Sequence, residues 1–253
     1  MNVTARLLTA LMLVSLSHQS FAMSADADTA SSHAVLVPNS GTYSRAISTD
    51  VTLAQTYFDQ GLRLAWGFYF PESIASYQEA SRLDPTHPMP YWGIAHAAGP
   101  NPNSRYAQMP DDPQGAGLAA IEAALDRIDR ATPMEAALIK VLYVFYDAKS
   151  IPDPRERDRA YLAEMRELNK KHPDDPDVAA LYAGSFMSIR RWDYWDKSGE
   201  AKGETLAVAE ALEHVITTGD PHPGVYHLHV HLIEASLEPE RAMVSADALE
   251  VTI

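Results

Sequence analysis

Three histidines fall within five residues in the run His227-Leu228-His229-Val230-His231-Leu232-Ile233-Glu234. On a helix, His227, His231 and Glu234 stand at i, i+4 and i+7, within an arc of about 60° at ~100° per residue. Two imidazoles one turn apart can share a divalent metal, and a carboxylate a turn further on can supply a third ligand. Imidazole with carboxylate suits zinc, copper or non-haem iron, and an open coordination position would support hydrolysis or oxygen chemistry. His229 points to the opposite side of such a helix. On a strand all three histidines would instead share a face. The run differs from the HExxH protease signature, because no Glu follows the first His. His96 and His222 are the next histidines that could join a metal site.

The other chemistry-bearing residues are aromatic or acidic. Trp92, Trp192 and Trp195, with Tyr91 and Tyr194, lie beside loops and could line a ligand groove, or fill gaps between helices. Asp111-Asp112 and Asp174-Asp175 lack the spaced ligands and glycine of an EF-hand and read as turn residues. With no cysteine, thiol catalysis, cysteine zinc sites and cysteine-ligated clusters are excluded. Neither a phosphate-cradling glycine loop nor a GxSxG elbow is found.

The elements that must carry these residues read as helices throughout. Leu53, Tyr57, Gly61, Leu62 and Leu64 recur at helical spacing, and Pro71 opens a second helix that Asp84-Pro85 stops. Tyr57, Gly61, Ser73, Tyr77, Ala80 and Pro85 follow the tetratricopeptide-repeat (TPR) pattern, in which small residues sit where two helices cross. Ala95 lies at the TPR period of about 34 residues from Gly61. Prolines and glycines over 99–113 interrupt the repeat as a loop insertion. Thr132-Pro133-Met134-Glu135 predicts a capping box opening the next helix. Helical patterns then cover 155–171, 178–187, 206–216, 224–235 and 239–249. The expected architecture is all-α, a right-handed TPR-like superhelix of three to four degenerate helical hairpins with loop insertions, over residues 49–253.

The segment Tyr57–Asn103, the Trp192–Trp195 loop, the Gly219–Pro223 turn and the Tyr226–Ser236 string together resemble a family of exported bacterial TPR-containing proteins. The resemblance covers most of residues 50–250. It implies a TPR-like superhelix and no settled activity. The family pattern runs further, so the chain is expected to represent its N-terminal portion, and a site completed by later repeats would be incomplete here.

The N-terminus predicts export. Arg6 precedes the apolar stretch Leu7–Leu16, and Ser20 and Ala22 satisfy the small-x-small requirement for cleavage after Ala22. That stretch is shorter than the ~20 residues a bilayer span needs. The expected location is periplasmic or secreted, with residues 1–22 a signal peptide and 23–48 a flexible linker. A formal charge of −14 excludes a basic nucleic-acid footprint. Two functions follow. The scaffold pattern favours a repeat protein that binds a protein or peptide partner. The alternative is a metal-binding protein or metalloenzyme built on His227, His231 and Glu234.

Overall fold

A computed structural model describes residues 34–103, 109 and 111–252; the expected signal peptide and the first part of the expected linker lie outside them. Among these residues ten α-helices follow one another: α1 Thr52–Trp66, α2 Phe70–Leu83, α3 Met89–Ala98, α4 Pro113–Leu125, α5 Pro133–Tyr146, α6 Pro154–Lys171, α7 Pro176–Arg190, α8 Thr205–Thr218, α9 Pro223–Ile233 and α10 Met243–Thr252. Among the described residues there is no strand, only one isolated bridge between Trp195 and Ala201. Each helix packs on the next, giving five pairs in a helical-repeat solenoid. That is more than the three to four expected, because the Pro239–Ala242 turn and α10 complete a fifth pair with α9. No helix among the described residues is long and apolar enough to cross a membrane.

Proline marks the helix starts. It stands in the first turn of α2 to α7 and of α9, where its missing N–H is not needed. Side chains of Asp112, Thr132, Asp153, Asp175 and His222 accept the N–H groups that those first turns leave free. At α5 the full capping box forms between Thr132 and Glu135.

The pairs interlock through one aromatic ring. Tyr77 of α2 is fully buried and lies against Gly61 of α1 and Gly93 of α3. A Cβ on Gly61 would come within 2.7 Å of the Tyr77 ring, so a glycine is required there by close approach. Ser73 donates its hydroxyl to the Gly61 carbonyl at 2.7 Å, and Ala80 is completely buried. Tyr57 is half-buried, and Pro85 is exposed just past the end of α2.

The solenoid curls until its first and fifth pairs meet. α1 packs against α9, where Gly224 makes room for the Trp66 indole. Where the helices converge they leave a small cavity of about 10 Å³, room for a single water, lined by Trp66, His96, Tyr161, Gly184 and Leu228 among others.

Candidate functional site

Residues 34–48 carry no helix, yet they are not a free linker. They run as an irregular strap along α1 that turns at residues 38–40, where Asn39 and Gly41 are left-handed, and two buried or half-buried glutamines hold the main chain on either side of that turn in the same way. Gln60 accepts from the Val37 N–H at 2.7 Å and donates to the Val35 carbonyl at 3.0 Å. Gln55 accepts from the Ile47 N–H and donates to the Arg45 carbonyl, both at 2.9 Å. Each amide is fixed by one further bond, Gln60 to Ser76 and Gln55 to Asp59. Asp59 takes the Arg45 N–H, while Arg63 and Tyr57 donate to the carbonyls of Tyr43 and Ala34. One helix thus makes seven hydrogen bonds to the backbone of a non-helical segment.

Further on, the strap crosses the N-terminal ends of later helices. Arg45 pairs with Asp175 at 3.0 Å and Asp177 at 2.7 Å, at the start of α7. Asp177 is 1% exposed and also receives the Tyr43 hydroxyl at 2.6 Å and His222 Nε2 at 3.0 Å. Burial opposes its charge, but the ring of donors from His222, Arg45 and Tyr43 overcomes that and holds the carboxyl far below the usual range. His222 has its other nitrogen occupied too: Nδ1 accepts the Val225 N–H and caps α9.

At α5 and α3 the strap forms a second polar knot. Ser48 Oγ lies 2.9 Å from His87 Nε2 and donates to Glu135 Oε2 at 2.7 Å. Serine, histidine and glutamate in contact resemble a nucleophilic triad, but the hydrogen bonds run the wrong way. His87 Nδ1 accepts the Met89 N–H, so in the neutral ring the proton sits on Nε2 and cannot be replaced by the serine proton. Burial lowers the His87 pKa. Its role is that of His222: one nitrogen caps a helix and the other reaches the strap or the carboxylate beside it.

The histidine run lies on helix α9, and the structure divides it. His227 and His231 turn toward each other with their Nε2 atoms 3.1 Å apart. His227 Nδ1 bonds the Trp66 carbonyl at 2.6 Å, across the seam between α1 and α9. Burial lowers the His227 pKa. Glu234 does not join the pair as a third ligand. Its carboxylate lies 3.2 Å from His231 Nδ1, on the opposite edge of that ring from His227. His229 faces away, buried between Ser245 at 2.9 Å and Glu213 at 3.3 Å. No group of three or more His, Asp or Glu among the described residues is placed to hold a metal together.

Two aromatic rings wall the pair. Phe68 lies 4.3 Å from the His227 ring and parallel to the His231 ring at 6.2 Å. Trp192 lies 5.6 Å from the His231 ring. Both aromatics adopt a left-handed backbone, with φ of 64° for Phe68 and 71° for Trp192. For bulky residues this conformation is strained, and such strain concentrates at functional sites. Their positions were not readable from sequence, since neither α1–α2 nor α7–α8 carries a turn motif that demands it.

The remaining expected site residues disperse. Trp92 belongs to no groove: it is 2% exposed and stacks on His96. Trp195 is half-buried and donates its indole N–H to the Leu232 carbonyl at 2.7 Å. Only Trp192, 40% exposed, reaches the surface beside the histidine pair. His96 is buried in the central cavity with Nδ1 unpartnered, and burial pushes its pKa down to about 4. No protein-family model matches this chain, and no curated protein or solved structure shows a significant likeness to it.

Proposed function

We propose that the chain is an exported TPR-type scaffold that binds a protein or peptide partner through a non-helical segment held along α1. The observation that supports this is the pair of glutamine clamps. Gln55 and Gln60 each take one donor and one acceptor, two residues apart, from non-helical main chain. Such contacts recognise the shape of a non-helical backbone and leave the identity of most side chains free, as in other modes of peptide capture. The amides are already fixed by Ser76 and Asp59, so little ordering remains to be done on binding. The strap's own contacts support a peptide that carries an arginine, like Arg45, to meet Asp175 and Asp177.

Binding in the interior of the superhelix is disfavoured by its closure, since α1 and α9 meet and only an enclosed cavity is left. The α1 face and the adjoining helix N-termini are the surface that engages non-helical chain. A tethered strap outcompetes a free peptide through its high effective concentration. The test therefore uses a chain beginning at Thr49, verified as folded by its helical circular dichroism, and a labelled peptide of residues 34–48. Saturable micromolar binding, lost on Gln55→Ala/Gln60→Ala substitution, is expected. A folded truncated chain that ignores the peptide would refute the proposal.

A further inference from the structure

The hydrogen bonds around His227 and His231 leave an electrostatic problem at the centre of the pair. A carbonyl oxygen can only accept, so His227 Nδ1 carries the proton donated to Trp66. The Glu234 carboxylate also accepts, so His231 Nδ1 carries the proton on its side. In neutral imidazoles with protons at Nδ1, both Nε2 atoms present bare lone pairs. The two Nε2 atoms lie 3.1 Å apart. Two acceptors at that separation repel unless a positive centre lies between them.

We propose that His227 Nε2 and His231 Nε2 form a two-ligand binding site for a late first-row divalent metal ion, of the cobalt-to-zinc class. Several features support this independently of the histidine spacing. Metal-bound histidines characteristically hand their second ring nitrogen to a carbonyl or carboxylate, which fixes the tautomer and aims the lone pair. Here one ring does the first and the other does the second. Glu234, expected as a ligand, is therefore a positioning residue. The separation also fits: with Zn–N bonds of about 2.0–2.1 Å, nitrogens 3.1 Å apart subtend an angle of about 98° at the metal. That suits two adjacent positions of a tetrahedral, square-planar or octahedral ion. It does not suit a linear two-coordinate copper(I) ion. All-imidazole donation favours the later first-row ions over magnesium or calcium.

The walls of the site match this role. Phe68 and Trp192 come from the α1–α2 and α7–α8 connections and wall the pair, Phe68 against both rings and Trp192 against His231. Both hold left-handed conformations to do so. Two protein ligands leave the other coordination positions to water or to a donor from a bound molecule. His231 keeps 27% of its side-chain surface exposed, so an ion can reach the pair from solvent.

The test uses the untagged full chain, stripped with chelator and titrated calorimetrically with zinc chloride and nickel chloride, with magnesium chloride as control. Binding of a single equivalent of zinc or nickel, and none of magnesium, is expected. His231→Gln, at the accessible edge of the pair, abolishes that binding with the fold intact by circular dichroism. Glu234→Gln weakens it by about tenfold, the scale of a lost orienting contact. His229→Ala, on the opposite side of α9, leaves it unchanged. Nitrogen-15 spectra of labelled histidine show zinc moving the Nε2 resonances of residues 227 and 231. If no metal saturates the chain, or if binding survives in His231→Gln, the pair instead shares a proton and the metal assignment is wrong.

Discussion

Replacing His96 with phenylalanine should remove a defined part of the protein's acid sensitivity. His96 stacks on Trp92 and lines the central cavity with Nδ1 buried and unpartnered. Burial holds its folded pKa at about 4, against 6.5 for an ordinary histidine. The sign follows from linkage: the folded state binds the proton less well than the unfolded state does, so stability is fully present above pH 6.5. It is lost as pH falls toward 4. A displacement of about 2.5 pH units corresponds to roughly 3 kcal/mol at 1.36 kcal/mol per unit. That is a large share of the ~5–15 kcal/mol by which a domain is stable. Phenylalanine keeps the planar ring against Trp92 and has nothing to protonate. Urea unfolding of both proteins at several pH values between 4 and 7.5 measures the difference. The two stabilities should diverge by roughly 3 kcal/mol on acidification, with the variant the flatter curve. His87, His227 and His229, whose pKa values burial also lowers, keep a residual slope in both. A wild-type-minus-variant difference that does not change with pH would show that His96 is not kept neutral by burial, and the reasoning fails.

Other substitutions test the packing directly. Asp177→Ala leaves His222, Tyr43 and part of Arg45 without their acceptor, at a cost of about 3–5 kcal/mol, and should lower the melting temperature by roughly 10 °C in calorimetry. Gly61→Ala drives a Cβ into the Tyr77 ring and should cost about 1–3 kcal/mol, and Tyr77→Leu in the same chain should recover part of that loss if the clash is the cause. Gln60→Ala should speed hydrogen exchange of the Val37 amide while leaving the amides of α5 and α6 unaffected; global acceleration would show that the clamp is part of the core and not a local contact.

The helical hairpins were legible because their signals are local. The Gly61–Tyr77 contact and the Ser73 and Ala80 positions come from one stretch of under thirty residues, and the capping box at Thr132 is four residues long. The histidine run could be placed on one helix by the same local logic. What local logic cannot supply is partners far away in the chain. Arg45 meets Asp175 across 130 residues, and His227 meets Trp66 across 161. That is why residues 34–48 read as a linker although many of their backbone groups are bonded to α1 and to later helices. Trp92 misled for a related reason: an aromatic beside a loop in sequence can still point inward, and here it stacks on His96.

The meeting of α1 with α9, together with the strap, has a consequence for how this solenoid comes apart. An ordinary repeat array behaves as a one-dimensional lattice with two free ends, where each unit feels only its neighbours and melting begins at the terminal ones. Here α1 of the first pair also packs on α9 of the fifth, and a single strap touches the starts of α3, α5 and α7. Among the described residues the first pair therefore has neighbours on both sides, and fraying it costs the α1–α9 seam and the strap contacts as well as its contacts with α3.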